Sequence, residues 1–256
     1  MKKVTLLCGM LLALTASIAS AAQGTNLRWS ACFGDGGPLN RSSTCLSNNG
    51  SNVLVGSFEM GASLTQVSGV EIVIDIGTAG VSLPAWWSMF NVGTCRPASL
   101  TSNAAIAATA ANCFDWANNF AQGGLAAYNM GFDGPNTART VNGFAVSALH
   151  LANLDPATEY FCVNMSINNA STVGTGSCSG CSVPACIVFN SVKVATPPVA
   201  GQPSRDVVVS GPTNGTDSYF CTWQGGIGIV VGGKVGCPAA VPTHGSTWSQ
   251  VKTLYR

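Results

Sequence analysis

The sequence predicts an all-β protein, a disulfide-stapled antiparallel β-sandwich of the immunoglobulin/fibronectin III or jelly-roll kind, and three observations predict it. Short apolar runs, several of them strictly alternating, recur between Gly-, Asn- and Pro-rich turns. The chain has 11 Cys; one, Cys8, lies in an apolar leader, and the ten that remain are an even number suited to disulfides. Only 8% of residues are charged, where soluble domains average about 25%. Gly, Ala, Ser, Thr and Asn take the place of charge, so hydroxyls, amides and backbone solvate the surface.

The elements follow in order. Lys2 and Lys3 precede a short apolar stretch, 6–18, and Ala19-Ser20-Ala21 forms a small-x-small cleavage site, so residues 1–21 read as a signal peptide of bacterial type. A membrane span needs about 20 apolar residues, more than the leader offers, and nothing later in the chain is longer. The expected location is secreted or cell surface, in an oxidising compartment. Residues 22–238 read as one elaborated sandwich domain, followed by a tail, 239–256.

Within the domain, 52–60 (NVLVGSFEM) is a strand. Residues 67–77 place Ile72, Ile74 and Ile76 on one face, with Glu71, Val73 and Asp75 on the other. Residues 140–151 alternate more loosely. Residues 159–168 place Phe161, Val163, Met165 and Ile167 opposite Tyr160, Cys162, Asn164, Ser166 and Asn168. Further strands are expected at 187–195, 206–210 and 219–223. The Ala-rich stretch 101–120 predicts short helical insertions. Pro197, Pro198 and Pro203 make 195–204 the expected linker. In the tail, 246–256 predicts a short helix: Thr247 to Gln250 fits a capping box, and Trp248, Val251, Leu254 and Tyr255 form one stripe.

The segment Leu154-Asp155-Pro156-Ala157-Thr158-Glu159-Tyr160 has the form L-x-P-x-T-x-Y. It resembles the tyrosine-corner segment of fibronectin type III domains, which implies a sandwich corner tied by a Tyr hydroxyl and implies nothing about a ligand. This chain departs from those domains in length and in its cysteines. The ending TWSQVKTLYR is similar to the tail of uncharacterised exported bacterial proteins that close on Trp-x-x-(Val/Ile)-Lys-x-Leu-Tyr-Arg. That resemblance implies export and brings no activity with it.

Removing the leader's two lysines takes the eleven basic residues to nine against ten acidic ones, a net charge of −1. So few cations argue against nucleic acid, whose phosphates demand Lys/Arg clusters, and against anionic lipid. Catalytic signatures are poor, and no catalytic residue is assigned. His150 follows a strand and His244 sits in a loop. The string 176–180 (GSCSG) has Cys where a nucleophile elbow needs Ser. Glu71 and Asp75 stand about 13 Å apart along one strand, beyond the spacing of paired glycosidase carboxylates. No metal or cofactor is expected: Asp35-Gly36-Gly37 and Asp133-Gly134-Pro135-Asn136 each offer a single carboxylate, and Cys178, Cys181, Cys186 and Cys237 lack a second C-x2-C pair.

Five disulfides are expected instead. Consecutive order pairs Cys32 with Cys45 and Cys95 with Cys113. The like contexts YFCVN and YFCTW pair Cys162 with Cys221, and Cys237 joins one of Cys178, Cys181 and Cys186. Five N-x-S/T sequons, at Asn40, Asn49, Asn164, Asn169 and Asn214, read as unmodified in a bacterial chain. The resulting expectation is a non-enzymatic structural or adhesive protein at the cell surface. One alternative is a carbohydrate-binding module presenting Trp86, Trp87, Trp116 and Trp223; another is an exported hydrolase with a site near His150. Expected partners are a glycan or surface protein, with the tail 246–256 offered to an export or anchoring factor.

Overall fold

The computed structural model describes residues 23–213, 217–231 and 234–238. The leader, Asn214, His244 and the tail with its expected helix lie outside the described residues.

The strands run β1 (Gly24–Trp29), β2 (Asn40–Arg41), β3 (Ser51–Glu59), β4 (Leu64–Val67), β5 (Gly69–Thr78), β6 (Leu100–Asn103), β7 (Phe114–Asp115) and β8 (Gln122–Met130). They continue with β9 (Thr137–Ala145), β10 (Ala152–Leu154), β11 (Tyr160–Asn168), β12 (Ala185–Ala195), β13 (Val207–Val209), β14 (Phe220–Trp223), β15 (Val230–Val231) and β16 (Lys234–Val235). A first sheet has the order β1-β3-β11-β6, with β7 added beside β11; a second has the order β2-β14-β12-β5-β9-β8, with β13 beside β12. Most pairings are antiparallel; β7 on β11 and β2 on β14 are parallel.

One apolar core joins the two sheets. Leu27, Leu54, Phe58 and Met165 from the first sheet meet Ile72, Ile74, Ile76, Ile187 and Phe189 from the second. Gly56 shows how tight this packing is: a Cβ there would lie 2.7 Å from Val163 Cγ1 on neighbouring β11 and 3.1 Å from Phe189 Cε1 in the facing sheet. The expected inward face of β5 is correct. On β11 a bulge between Phe161 and Val163 changes the parity. Tyr160 and Cys162 enter the main core alongside Val163, Met165 and Ile167, and Phe161 turns to the outer face. Just upstream, the Asp155 N–H donates to the Tyr160 hydroxyl at 2.9 Å, fixing the corner that feeds β11.

The expected helices in 101–120 are absent. That stretch forms β6, an irregular loop and β7, and the one short helix among the described residues is the 3₁₀ turn Ala85–Trp87. Alanine favours helix only where a backbone is otherwise free; here β6 pairs with β11 from Leu100 to Asn103 and takes the segment into the sheet. The Pro-rich stretch 195–204 is a loop that returns β13 to the edge of β12, so it links strands of one sheet.

The disulfide pattern differs from the nearest-neighbour expectation. Cys32 bonds Cys113, Cys45 bonds Cys181, Cys95 bonds Cys178, and Cys186 bonds Cys237. Sequence separations of 81, 136, 83 and 51 residues show that each bridge joins distant segments that the sandwich brings together. The Cys32–Cys45, Cys95–Cys113 and Cys162–Cys221 pairings are therefore corrected, while Cys237 does join one of its three expected partners. Cys162 and Cys221 are buried thiols. The reason is topological: β11 belongs to the first sheet and β14 to the second, so the two do not sit on neighbouring strands. Cys162 instead donates its S–H to the Gly56 carbonyl at 3.3 Å, and burial pushes both thiols well above their ordinary range.

Candidate functional site

The four tryptophans expected to meet a ligand are interior. Trp86, Trp87 and Trp223 are 0% exposed and Trp116 is 1% exposed. Trp223 stacks on Trp86 at 5.1 Å and meets Trp87 and Trp29 edge-on or tilted at 6.0 and 5.8 Å. Three polar edges are used internally: Trp29 donates to the Thr222 carbonyl, Trp86 to Thr172 Oγ1 and Trp223 to the Cys181 carbonyl, whereas the buried Nε1 of Trp87 and of Trp116 has no partner. Arg96 closes this cluster. Its guanidinium lies 3.9 Å over the Trp86 ring and donates to the carbonyls of Ala170, Trp86 and Asn168. Burial lowers its pKa to about 10, so it stays charged at neutral pH. Side chains so enclosed cannot offer a sugar-stacking face; the carbohydrate platform at Trp86, Trp87, Trp116 and Trp223 is overturned.

The histidine site fares no better. His150 stacks on the exposed ring of Phe120 at 3.7 Å, and its Nδ1 is 3.0 Å from Ser147 Oγ. Ser147 and His150 are three residues apart in one exposed turn, and none of the contacts recorded among the described residues brings a carboxylate to the ring. Cys178, Cys181, Cys186 and Cys237 are spread over three bridges.

What the fold does build is a cleft of about 540 Å³ on the outer face of the first sheet. Its floor is a satellite apolar cluster that the main core does not include: Val53 and Val55 from β3, Phe161 turned outward by the bulge, and Ile106 from the loop above. The Ala-rich loop 104–112 roofs it. Three ties hold this roof: Asn164 Nδ2 donates to the Ala105 carbonyl, the Cys32–Cys113 bridge clamps its far end, and Asp35 receives its amides. Asp35 Oδ1 accepts from Ala111 N–H at 3.1 Å, Asn112 N–H at 2.8 Å and Asn112 Nδ2 at 3.2 Å.

Glu159 sets the wall that carries Cys32 and Asp35. This buried carboxylate accepts from the Phe33 and Gly34 amides at 3.0 and 2.7 Å and from the Ser57 hydroxyl. Two successive amides pointing at one carboxylate form a small anion nest, so the 32–35 turn is fixed by the residue just before β11. Glu159 and the sulfurs of Cys32 and Cys113 lie within 4.8 Å of one another. They are not a metal site, because the sulfurs are bonded to each other and a ligand must be a thiolate.

Two charged side chains face the cleft. Asp35 is tied to Ala111 and Asn112, beside the Cys32–Cys113 bridge. Arg41 stands toward the Ser51 end, where its Nε donates to Asn52 Oδ1 at 2.8 Å. Three salt bridges occur among the described residues, Arg28–Asp217, Arg139–Asp75 and Lys193–Asp206, and neither Asp35 nor Arg41 takes part in one. Asp35 Oδ2 has no hydrogen-bond partner. Opposite charges sharing a cleft and left unneutralised by each other are the distinctive chemistry of this surface. Nothing in the sequence singles out the pair: Asp35-Gly36-Gly37 reads as a single-carboxylate site too poor for calcium, and Arg41 as the middle of the sequon NRS.

No family model matches the chain, and neither does any curated protein or solved structure.

Proposed function

We propose that this chain is an exported, non-enzymatic recognition module with an adhesive or structural role at the cell surface or outside the cell, and that the cleft on the first sheet is its binding site. The observation that carries the reading is the cleft itself: an apolar floor, an unneutralised Asp35 and Arg41, and a roof clamped by a disulfide. Concave, mostly apolar sites with a few placed polar groups are the usual form of a binding site. Four long-range disulfides suit a protein that works in an oxidising compartment. One of them, Cys32–Cys113, ties the roof loop to the cleft wall, which limits the ordering cost of binding.

Ala107 tests this. It lies on the roof, lines the cleft and is exposed, so Ala107→Trp fills the mouth without entering the core. Surface changes of this kind alter stability by about 0.5 kcal/mol or less. The variant should fold and be exported as the parent is, and should lose retention on the surface fraction of the producing cells. Retention equal to the parent's would refute the cleft as the binding site.

A further inference from the structure

We infer that the cleft takes a short zwitterionic peptide with both ends free, its carboxylate at Arg41 and its amino group at Asp35. This inference rests on the recognition reading above and names the ligand class for that same site. The argument begins from scarcity. In a chain where 8% of residues are charged, two charges of opposite sign line one cleft and no salt bridge neutralises either. A neutral apolar ligand would leave both desolvated and unpaired, which is costly for any buried charge. A ligand of one charge would satisfy only one of them.

The groups suit the two ends of a peptide. Asn52 occupies Nε of Arg41, and among the described residues no acceptor is recorded for the two Nη groups, the edge that binds a carboxylate in two parallel hydrogen bonds. At the other end, Asp35 Oδ1 is saturated by three donors from the roof, while Oδ2 is shielded from solvent and has none. An ammonium group supplies several donors to such an oxygen. Within 106–110 the backbone bond from Ala110 N–H to the Ala107 carbonyl, 3.0 Å, is internal to the loop and leaves the mouth beside it open to a ligand.

Length follows from the floor. Ser51 and Val55, four residues apart on β3, both line the cleft, so its floor runs along about 13 Å of extended chain. A peptide of about three or four residues spans that distance. Val53, Val55, Phe161 and Ile106 between the charges favour small apolar side chains over polar ones. A longer peptide would have to project one terminus out of the cleft and forfeit one charge pairing.

Calorimetric titration of the full chain with Ala-Val-Val-Ala tests the assignment through the ligand, so that no variant has to fold. The free peptide should bind, and N-acetylation or C-amidation should each weaken binding about tenfold or more, as expected for loss of a charge-assisted hydrogen bond. Arg41→Gln should abolish the sensitivity to amidation and leave that to acetylation. Asp35→Asn keeps Oδ1 for the roof and should do the reverse; a melting curve checks that the roof survives. Equal binding of free and doubly blocked peptide would overturn the inference, as would no binding of the free peptide at millimolar concentration. If the peptide fails while Ala107→Trp still abolishes surface retention, the ligand class falls and the recognition site stands. If Ala107→Trp is also without effect, both fall.

Discussion

Glu59 ends β3 in surroundings that oppose its charge. Burial, and then the neighbouring charge of Glu159, push its carboxyl above the ordinary glutamate value. A carboxyl with a raised folded-state pKa binds its proton more tightly folded than unfolded. The penalty for ionisation is therefore full at neutral pH and is lost as the pH falls through the folded pKa. Glu59→Gln should raise stability at pH 7 by about 0.5 kcal/mol, a figure reduced for solvent screening because the side chain is only partly buried. Near pH 3 the gain should vanish; paired denaturant melts at the two pH values measure it, and a gain that persists at pH 3 would contradict the stated cause. Arg96 shows a different solution for a buried charge. It has no carboxylate among its contacts and is held by three carbonyls and the face of Trp86. The PAWW segment is interior accordingly: the Trp86 indole faces the buried cation, and Trp87 packs edge-on against Trp86 and Trp223.

At the scale of elements, the roof loop owes its place to one bridge more than to its own sequence. Residues 104–112 are mostly alanine and small polar residues with little to bury, and the Cys32–Cys113 bond closes a separation of 81 residues. Replacing both cysteines by serine should cost about 2–5 kcal/mol by freeing that loop in the unfolded chain. It should also raise amide exchange in 104–112 while the centres of β5 and β12 stay protected. Uniform loss of protection in both regions would mean that the bridge holds the whole sandwich and not the roof. The strands themselves were legible wherever β-branched residues alternate: β3, β5, β11 and β12 lie close to their expected positions. β8 was not, because QGGLAAYNM carries few residues with strand preference and takes its conformation from β9 beside it. The bulge at Phe161 was also invisible, since strict alternation in a sequence cannot reveal an inserted residue. That one residue moves Phe161 from the core to the cleft floor.

At the scale of the molecule, class and stapling were readable and the wiring was not. Composition and turn spacing predict a disulfide-bearing sandwich. The choice of partners depends on which loops the two sheets bring to the same end, and nearest-neighbour order carries no such information. The cleft was hidden for the same reason. Asp35 and Arg41, Val55, and Ile106 lie on three separate segments and converge only when the 30–41 stretch, β3 and the 104–112 loop come together on one face. Wiring and cleft thus depend on each other, because Cys32–Cys113 is both a bridge and a wall of the site.

The most direct test of this account is the disulfide map. Native protein alkylated without reduction, then digested and sequenced by mass spectrometry, should yield linked peptides for Cys32–Cys113, Cys45–Cys181, Cys95–Cys178 and Cys186–Cys237. Cys162 and Cys221 should resist alkylation in the native state and react once the chain is denatured. A Cys32–Cys45 link, or a bond between Cys162 and Cys221, would contradict the arrangement of sheets and roof on which the cleft depends.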